Sequence, residues 1–184
     1  MTRMPYTDLQ QMSVQTRAMF ERSPINLQRM LAGASEGVFA AFNGFAASFY
    51  GPSQLPDTLR EVAILRVAYL SKCTYELLHR VPLGLHVGLT IEQIKAIEID
   101  NDRDSILTPA QQAVLSFTDD IVLHVRASDM TLMAVREQLN DRQILDLILV
   151  IGLYRSVASV LETTGVEPDS NALDWRTMLA QQPT

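Results

Sequence analysis

Helical periodicity runs through nearly the whole sequence, and no other pattern competes with it. Apolar residues recur at three- and four-residue intervals behind N-cap signals, whereas alternating β-branched runs between hairpin turns are absent. The chain is therefore expected to be all-α, with about eight or nine helices. Two short helices are expected at 13–22 and 26–32, parted at Ser23-Pro24, where proline restricts the residue before it. A helix at 35–50 follows, rich in Ala and Gly, whose small side chains allow neighbouring backbones to come close. Pro56 suits the start of the next helix, which runs through Val62, Leu65 and Tyr69, with Lys72 near its end. A further helix is expected from about Cys73 to His86, with a kink at Pro82 and a stop at Gly88.

Two capping boxes mark later boundaries, Thr90 with Gln93 and Thr108 with Gln111, the second opening a helix that ends near His124. The polar stretch 100–105 reads as an exposed loop. The last helices fall at 129–138 and 141–164, capped by Ser128 and Asn140, before a tail closed by Gly165 and Pro168. Segments 60–88 and 142–165 echo each other loosely. Duplication explains that echo, and so do two helices in similar core surroundings.

One domain over 1–184, with short irregular tails, suits a chain of 184 residues that is 47% hydrophobic and 20% charged. The net charge of −6 and scattered Lys and Arg offer no face for nucleic acid. A single cysteine, Cys73, excludes an internal disulfide framework and any C-x-x-C pair, which fits a cytoplasmic protein. Residues 1–10 contain no apolar run resembling a signal or anchor, and the apolar stretch 144–153, broken by Asp146, is too short to span a bilayer. No membrane association is expected.

Chemistry-bearing residues concentrate between positions 55 and 97. Cys73, Glu76, His79 and Arg80 are spaced to share one helical face. A thiol at a helix N-terminus beside Lys72 has its thiolate favoured by dipole and cation; Glu76 and His79 are then suited to move protons. Each residue also has a plain structural reading. Cys73 is equally an inert core thiol, Glu76–Arg80 a surface i,i+4 ion pair, His79 a hydrogen-bonded helix residue, and Glu61 the closing member of a capping box begun by Thr58. His79 and His86 are two turns apart, but no third convergent ligand or H-E-x-x-H pattern supports a metal. His124 suits a helix C-terminus. No metal, nucleotide or other cofactor is expected, since no Gly-rich phosphate loop or Rossmann fingerprint occurs.

Arg60-Glu61-x-x-Ile64-Leu65, then Cys73-x-Tyr75-Glu76-x-x-His79, then Gly88-Leu89-Thr90-x-Glu92-x-Ile94 resemble the signature of the carboxymuconolactone decarboxylase and AhpD-like superfamily, over about 55–99. The resemblance implies an AhpD-like helical fold, a homo-oligomer, and Glu61 brought near Cys73. In the alkylhydroperoxidase branch a C-x-x-C-x-x-x-H motif and an upstream Glu relay protons for thiol-dependent peroxide reduction. Here Glu76 stands at the second cysteine's position and Arg80 at the relay histidine's. The decarboxylase branch implies cofactor-independent acid–base chemistry on a small organic acid or lactone. On that reading Glu76 and His79 transfer protons, Glu61 and Cys73 line the same catalytic site, and Arg80 and Tyr75 contact the small-molecule substrate. A one-cysteine thiol peroxidase and a non-catalytic binding oligomer are the alternatives.

Overall fold

A computed structural model describes residues 2–51, 53–98 and 103–170, with backbone only at 103 and 104. Among these residues the chain is all-α and contains no strand. Its helices are α1 (Val14–Phe20), α2 (Asn26–Leu31), α3 (Glu36–Ser48), α4 (Asp57–Leu70), α5 (Thr74–His86), α6 (Ile91–Glu98), α7 (Arg103–Ile106), α8 (Pro109–His124), α9 (Asp129–Arg136) and α10 (Asp141–Thr164). A 3-10 turn, Leu9–Gln11, precedes α1. Nine α-helices have six or more residues. The four-residue α7 is the departure: it begins inside the stretch 100–105 read as a loop, of which 100–102 lie outside the described residues.

The local signals act as expected. Thr108 and Asn140 each accept from the backbone three residues on, and Gln111 and Gln143 return the bond. Thr90 and Gln93 do the same before α6. Such pairs satisfy amides that an α-helix leaves without internal partners. The Thr58–Glu61 capping box does not form: Pro56 stands at the N-cap of α4, and Glu61 lies a full turn inside.

α4 is the hub. It packs against α5, α6, α8 and α10, and every residue from Leu59 to Ala68 is buried. A helix enclosed on all sides must be apolar around its circumference, which explains why Val62, Ala63, Ile64, Leu65 and Val67 follow one another without a polar face. Three buried charged residues, Arg60, Glu61 and Arg66, break the apolar character of this stretch. Arg66 holds Asp119 on α8 at 2.5 Å and donates to the Ile97 carbonyl at the end of α6 at 2.9 Å. It thereby fastens three helices at one point.

α5 continues through Pro82 to His86. Gly84 lets it lie close to α4, since a Cβ there would stand 3.3 Å from Leu65 Cδ1 and from Leu89 Cδ1. Gly88 then turns the chain with φ of 102°. α10 is one continuous helix of 24 residues, whereas Arg60 to Gly88 comprises two helices, so the two segments are not structural repeats. By length and composition α10 is apolar enough to cross a membrane, more than stretch 144–153 suggested, and half of its most apolar window is buried within the chain. Its inward residues, among them Leu147, Ile151 and Leu161, are core.

α3 corrects one expectation. Of its thirteen residues only Phe39 is buried, in a small cluster with Met12 and Ala32, and a Cβ at Gly37 or Gly44 would meet nothing. Gly37, Ala41, Gly44 and Ala47 are exposed, whereas Ala40 and Ala46 are part-buried, Ala46 against the main core, so no backbone of the same chain closes on the two glycines.

Two glycine substitutions should separate backbone strain from helix propensity. Gly88→Ala should cost about 1–2 kcal/mol, because a left-handed backbone penalises a Cβ even in open space. In a monomeric form, Gly152→Ala, mid-helix and facing open space, should be neutral or gain up to about 1 kcal/mol. Urea denaturation of both variants checks the opposite signs.

Candidate active site

The site is assembled from one turn of α4, one face of α5, the end of α3 and the middle of α10. Glu61, one residue after Arg60, is 1% exposed. Its Oε1 accepts from Arg60 Nε at 3.3 Å, and its Oε2 is buried without a hydrogen-bond partner, 3.7 Å from Arg80 Nη1. Arg80 reaches this point from α5. Its Nε donates to Glu76 Oε2 at 3.3 Å, its Nη1 to the Tyr50 hydroxyl at 2.6 Å, and its Nη2 to the Tyr154 hydroxyl. The two phenols lie 2.6 Å apart. Arg60 sits over the Tyr50 ring and Arg80 over the Tyr154 ring, each 4.4 Å from the centroid.

Charge is distributed unevenly within this cage. Burial raises the Glu61 pKa above the ordinary carboxylate value, and the opposing pull of Arg80 and Arg60 only partly offsets it. Burial also works against the Arg80 cation, but Tyr154, Glu76, Tyr50 and Glu61 together raise its pKa. Burial likewise raises the Tyr154 phenol, against the influence of Arg80. Glu76 and Arg80 do form the i,i+4 pair, but in the interior, with the Glu76 side chain 4% exposed. Arg60 is anchored from outside by Asp57 at 2.5 Å and by the Phe49 carbonyl at 3.0 Å.

His79 belongs to a second cluster. Its Nε2 lies 3.1 Å from Asp169 Oδ2, and its ring stacks at a tilt on Tyr75, with centroids 4.6 Å apart. The Tyr75 hydroxyl donates to the same Asp169 oxygen and accepts from the Leu27 amide at 3.2 Å. Burial, then the bond to Asp169, raises the Tyr75 pKa. Asp169 also accepts from the Asn26 amide at 2.8 Å, so the segment after α10 ties the start of α2 to α5. His79 thus faces an aspartate ninety residues on, while Glu76 faces Arg80.

Cys73 stands at the N-cap of α5 and is fully buried. Its thiol is pushed up to about 12, chiefly by desolvation. Neither helix dipole nor Lys72 reverses this, and Lys72, in a left-handed conformation at φ of 53°, is exposed. Among the described residues no three His, Cys, Asp or Glu side chains converge to hold a metal. His124 is exposed in the last turn of α8.

Tyr50, Tyr154, Arg60 and Asp169 were missing from the sequence-derived set. Arg60 is adjacent to Glu61 in the quoted motif and was recoverable from it. The others join across long intervals of chain, where spacing carries no signal.

The sequence profile of the Carboxymuconolactone decarboxylase family matches residues 36–120, which contain Tyr50, Glu61, Cys73, Glu76, His79 and Arg80. No curated protein matches the chain in sequence. Among solved structures, an uncharacterized peroxidase-related protein from Ralstonia eutropha JMP134, described as an alkylhydroperoxidase AhpD core, is similar with TM-score 0.78 and 17% identity. It aligns over 100% of this chain and 98% of its own. An uncharacterized peroxidase-related protein from Silicibacter sp. TM1040 is similar with TM-score 0.75 and 21% identity, over 93% of each chain. The fold is therefore AhpD-like.

Cys73 provides a direct check on the site's electrostatics. At neutral pH a thiol-specific reagent should label it orders of magnitude more slowly in the native state than in denaturant. A pKa raised on folding stabilises the protein below the unfolded value of 9.0, and that contribution is lost as pH rises from 9.0 to about 12. Stability in this alkaline window should fall more steeply in the native sequence than in Cys73→Ala, as read by denaturation at several pH values.

Proposed function

Taking residues 36–120 as a carboxymuconolactone decarboxylase-family segment on an AhpD-like fold, we propose that the protein is a cofactor-independent acid–base enzyme acting on a small carboxylated lactone or related organic acid, with Glu61 as its proton-transfer group. The observation that carries this reading is the Glu61 carboxyl, buried, with one oxygen lacking a hydrogen-bond partner and its pKa raised. Such a group is suited to hold a proton and deliver it within a site that excludes water. Two arginines beside it favour an anionic substrate.

In the proposed step the bond from ring carbon to carboxylate breaks, carbon dioxide leaves, and the electron pair moves onto the ring carbonyl as an enolate. Protonated Glu61 then gives its proton to the carbon, and water restores it. This shifts the proton-transfer role to Glu61 from Glu76, whose carboxylate holds Arg80. Tyr75 and His79 instead brace the wall of α5 through Asp169. A one-cysteine peroxidase is not favoured, because its nucleophile would be a thiol that is fully buried and protonated at neutral pH.

Carbon dioxide release from a panel of carboxylated lactones and β-keto acids tests the assignment. Glu61→Gln should lower kcat at least about a hundredfold, since one acid–base group typically contributes that much. Cys73→Ser should retain most activity. Loss of activity on Cys73→Ser with Glu61→Gln unaffected would overturn the reading in favour of thiol chemistry. Folded protein inactive on the whole panel, with peroxide consumed in the presence of an external thiol, would do so as well.

We propose, too, that the protein self-associates through α3 and the outer face of α10. Val38 and Phe45 on α3, and Leu145 and Leu149 on α10, are large apolar residues exposed in the single chain. Gly37, Gly44 and Gly152 leave open space beside them, which suits close approach by a second copy. Light scattering should give at least a dimer for the native sequence and a monomer for Phe45→Glu with Leu149→Glu. A monomeric native protein would overturn this.

A further inference from the structure

Counting protons over the Tyr50–Tyr154 pair shows one that has no acceptor. Each phenol oxygen accepts an N–H from Arg80, so Arg80 uses no phenol proton. The contact between the two oxygens, at 2.6 Å, uses one phenol proton. The other has no partner among the described residues. Burial decides which ring carries it. Tyr154 is 5% exposed and would leave an unsatisfied donor in the interior, whereas Tyr50 is 46% exposed and can present one outward. Tyr154 therefore donates to Tyr50. Tyr50, which receives two hydrogen bonds, becomes the outward donor at the mouth of the cage, polarised by the guanidinium behind it.

Arg80 Nη1 links this donor to Glu61. It binds the Tyr50 hydroxyl and lies 3.7 Å from the unpartnered Glu61 Oε2. A ligand oxygen bound at Tyr50 therefore sits beside Arg80, with the same guanidinium nitrogen between it and Glu61. The charges inside the cage agree. Arg60 and Arg80 face Glu76 and a carboxyl whose ionisation burial opposes, while their third acidic neighbour, Asp57, is largely in solvent with its side chain 66% exposed. Two guanidinium groups thus stand beside the phenol pair.

We infer that Tyr50, backed by Tyr154 and Arg80, forms a recognition site for a planar oxyanion, an enolate or a phenolate-like oxygen conjugated to a ring. This rests on the acid–base reading of Glu61, and it narrows the substrate to molecules whose carbonyl oxygen gains charge during reaction. An oxyanion takes the spare Tyr50 proton and strengthens with the charge it carries. A neutral ether of the same shape cannot.

The probe is 4-nitrophenol at a pH where it is ionised, followed by its visible absorption, against 4-nitroanisole as the uncharged match. The native protein should bind the phenolate at least about tenfold more tightly than the ether, the scale of a hydrogen bond to a charged acceptor. Tyr50→Phe should remove most of that preference and leave ether binding unchanged. Because Tyr50→Phe also removes the acceptor of the Tyr154 hydroxyl and of Arg80 Nη1, this variant should melt lower than the native protein but stay folded at the assay temperature. Should it not, affinity across ring-substituted phenolates gives a test on the native sequence, and it should rise with the basicity of the oxygen. Equal affinity for phenolate and ether, or a preference unchanged in Tyr50→Phe, would overturn the inference. The two readings fail separately. Phenolate preference without decarboxylation removes the proposed activity but keeps the oxyanion site, and turnover without phenolate preference does the reverse.

Discussion

A helix buried around its whole circumference cannot carry charge unless the interior answers it, and α4 carries Arg60, Glu61 and Arg66. An isolated ion in such a place would cost several kcal/mol. The fold resolves this by bringing counter-groups from four other elements: Tyr50 after α3, Glu76 and Arg80 from α5, Asp119 from α8 and Tyr154 from α10. The helices around α4 are thus held in register by polar contacts as well as by apolar packing. Well-packed apolar residues of similar volume often serve stability as well as a buried ion set does. Retaining a carboxyl with one oxygen unmatched is a feature that stability alone does not explain.

Much of the fold was legible because the signals that set helix boundaries are local. Thr108 with Gln111 and Asn140 with Gln143 work within a single turn, so they can be read without knowing what lies across the core. α7 could not be read this way: its surroundings are polar, and four residues offer no periodicity. The exposed glycines of α3 follow from a related limit. Composition shows that a close approach is possible, but not that a neighbouring helix of the chain makes it.

The candidate site divides along the same line. Glu61, Cys73, Glu76, His79 and Arg80 were recognisable from spacing and motif, but their partners were not. Helical spacing put Glu76 and His79 on a common face. Long-range contacts separate their work, joining Arg80 to Tyr154 across seventy-four residues and His79 to Asp169 across ninety. Burial then decided between the two readings of Cys73 in favour of a core thiol, since desolvation is a property of the whole core and outweighs the helix dipole of one turn.

The Asp169 tie has a consequence in time. Tyr75 and His79 share an acceptor that the chain supplies about ninety residues after His79. At ribosomal rates of about 5–20 residues per second, that interval is roughly 5 to 20 s. The signature segment is thus made well before the carboxylate that braces α5 exists, and α2, α5 and the segment after α10 can lock together only once synthesis has passed it. A nascent chain stalled between α5 and Asp169 would carry Glu61, Cys73, Glu76, His79 and Arg80 and still lack the brace.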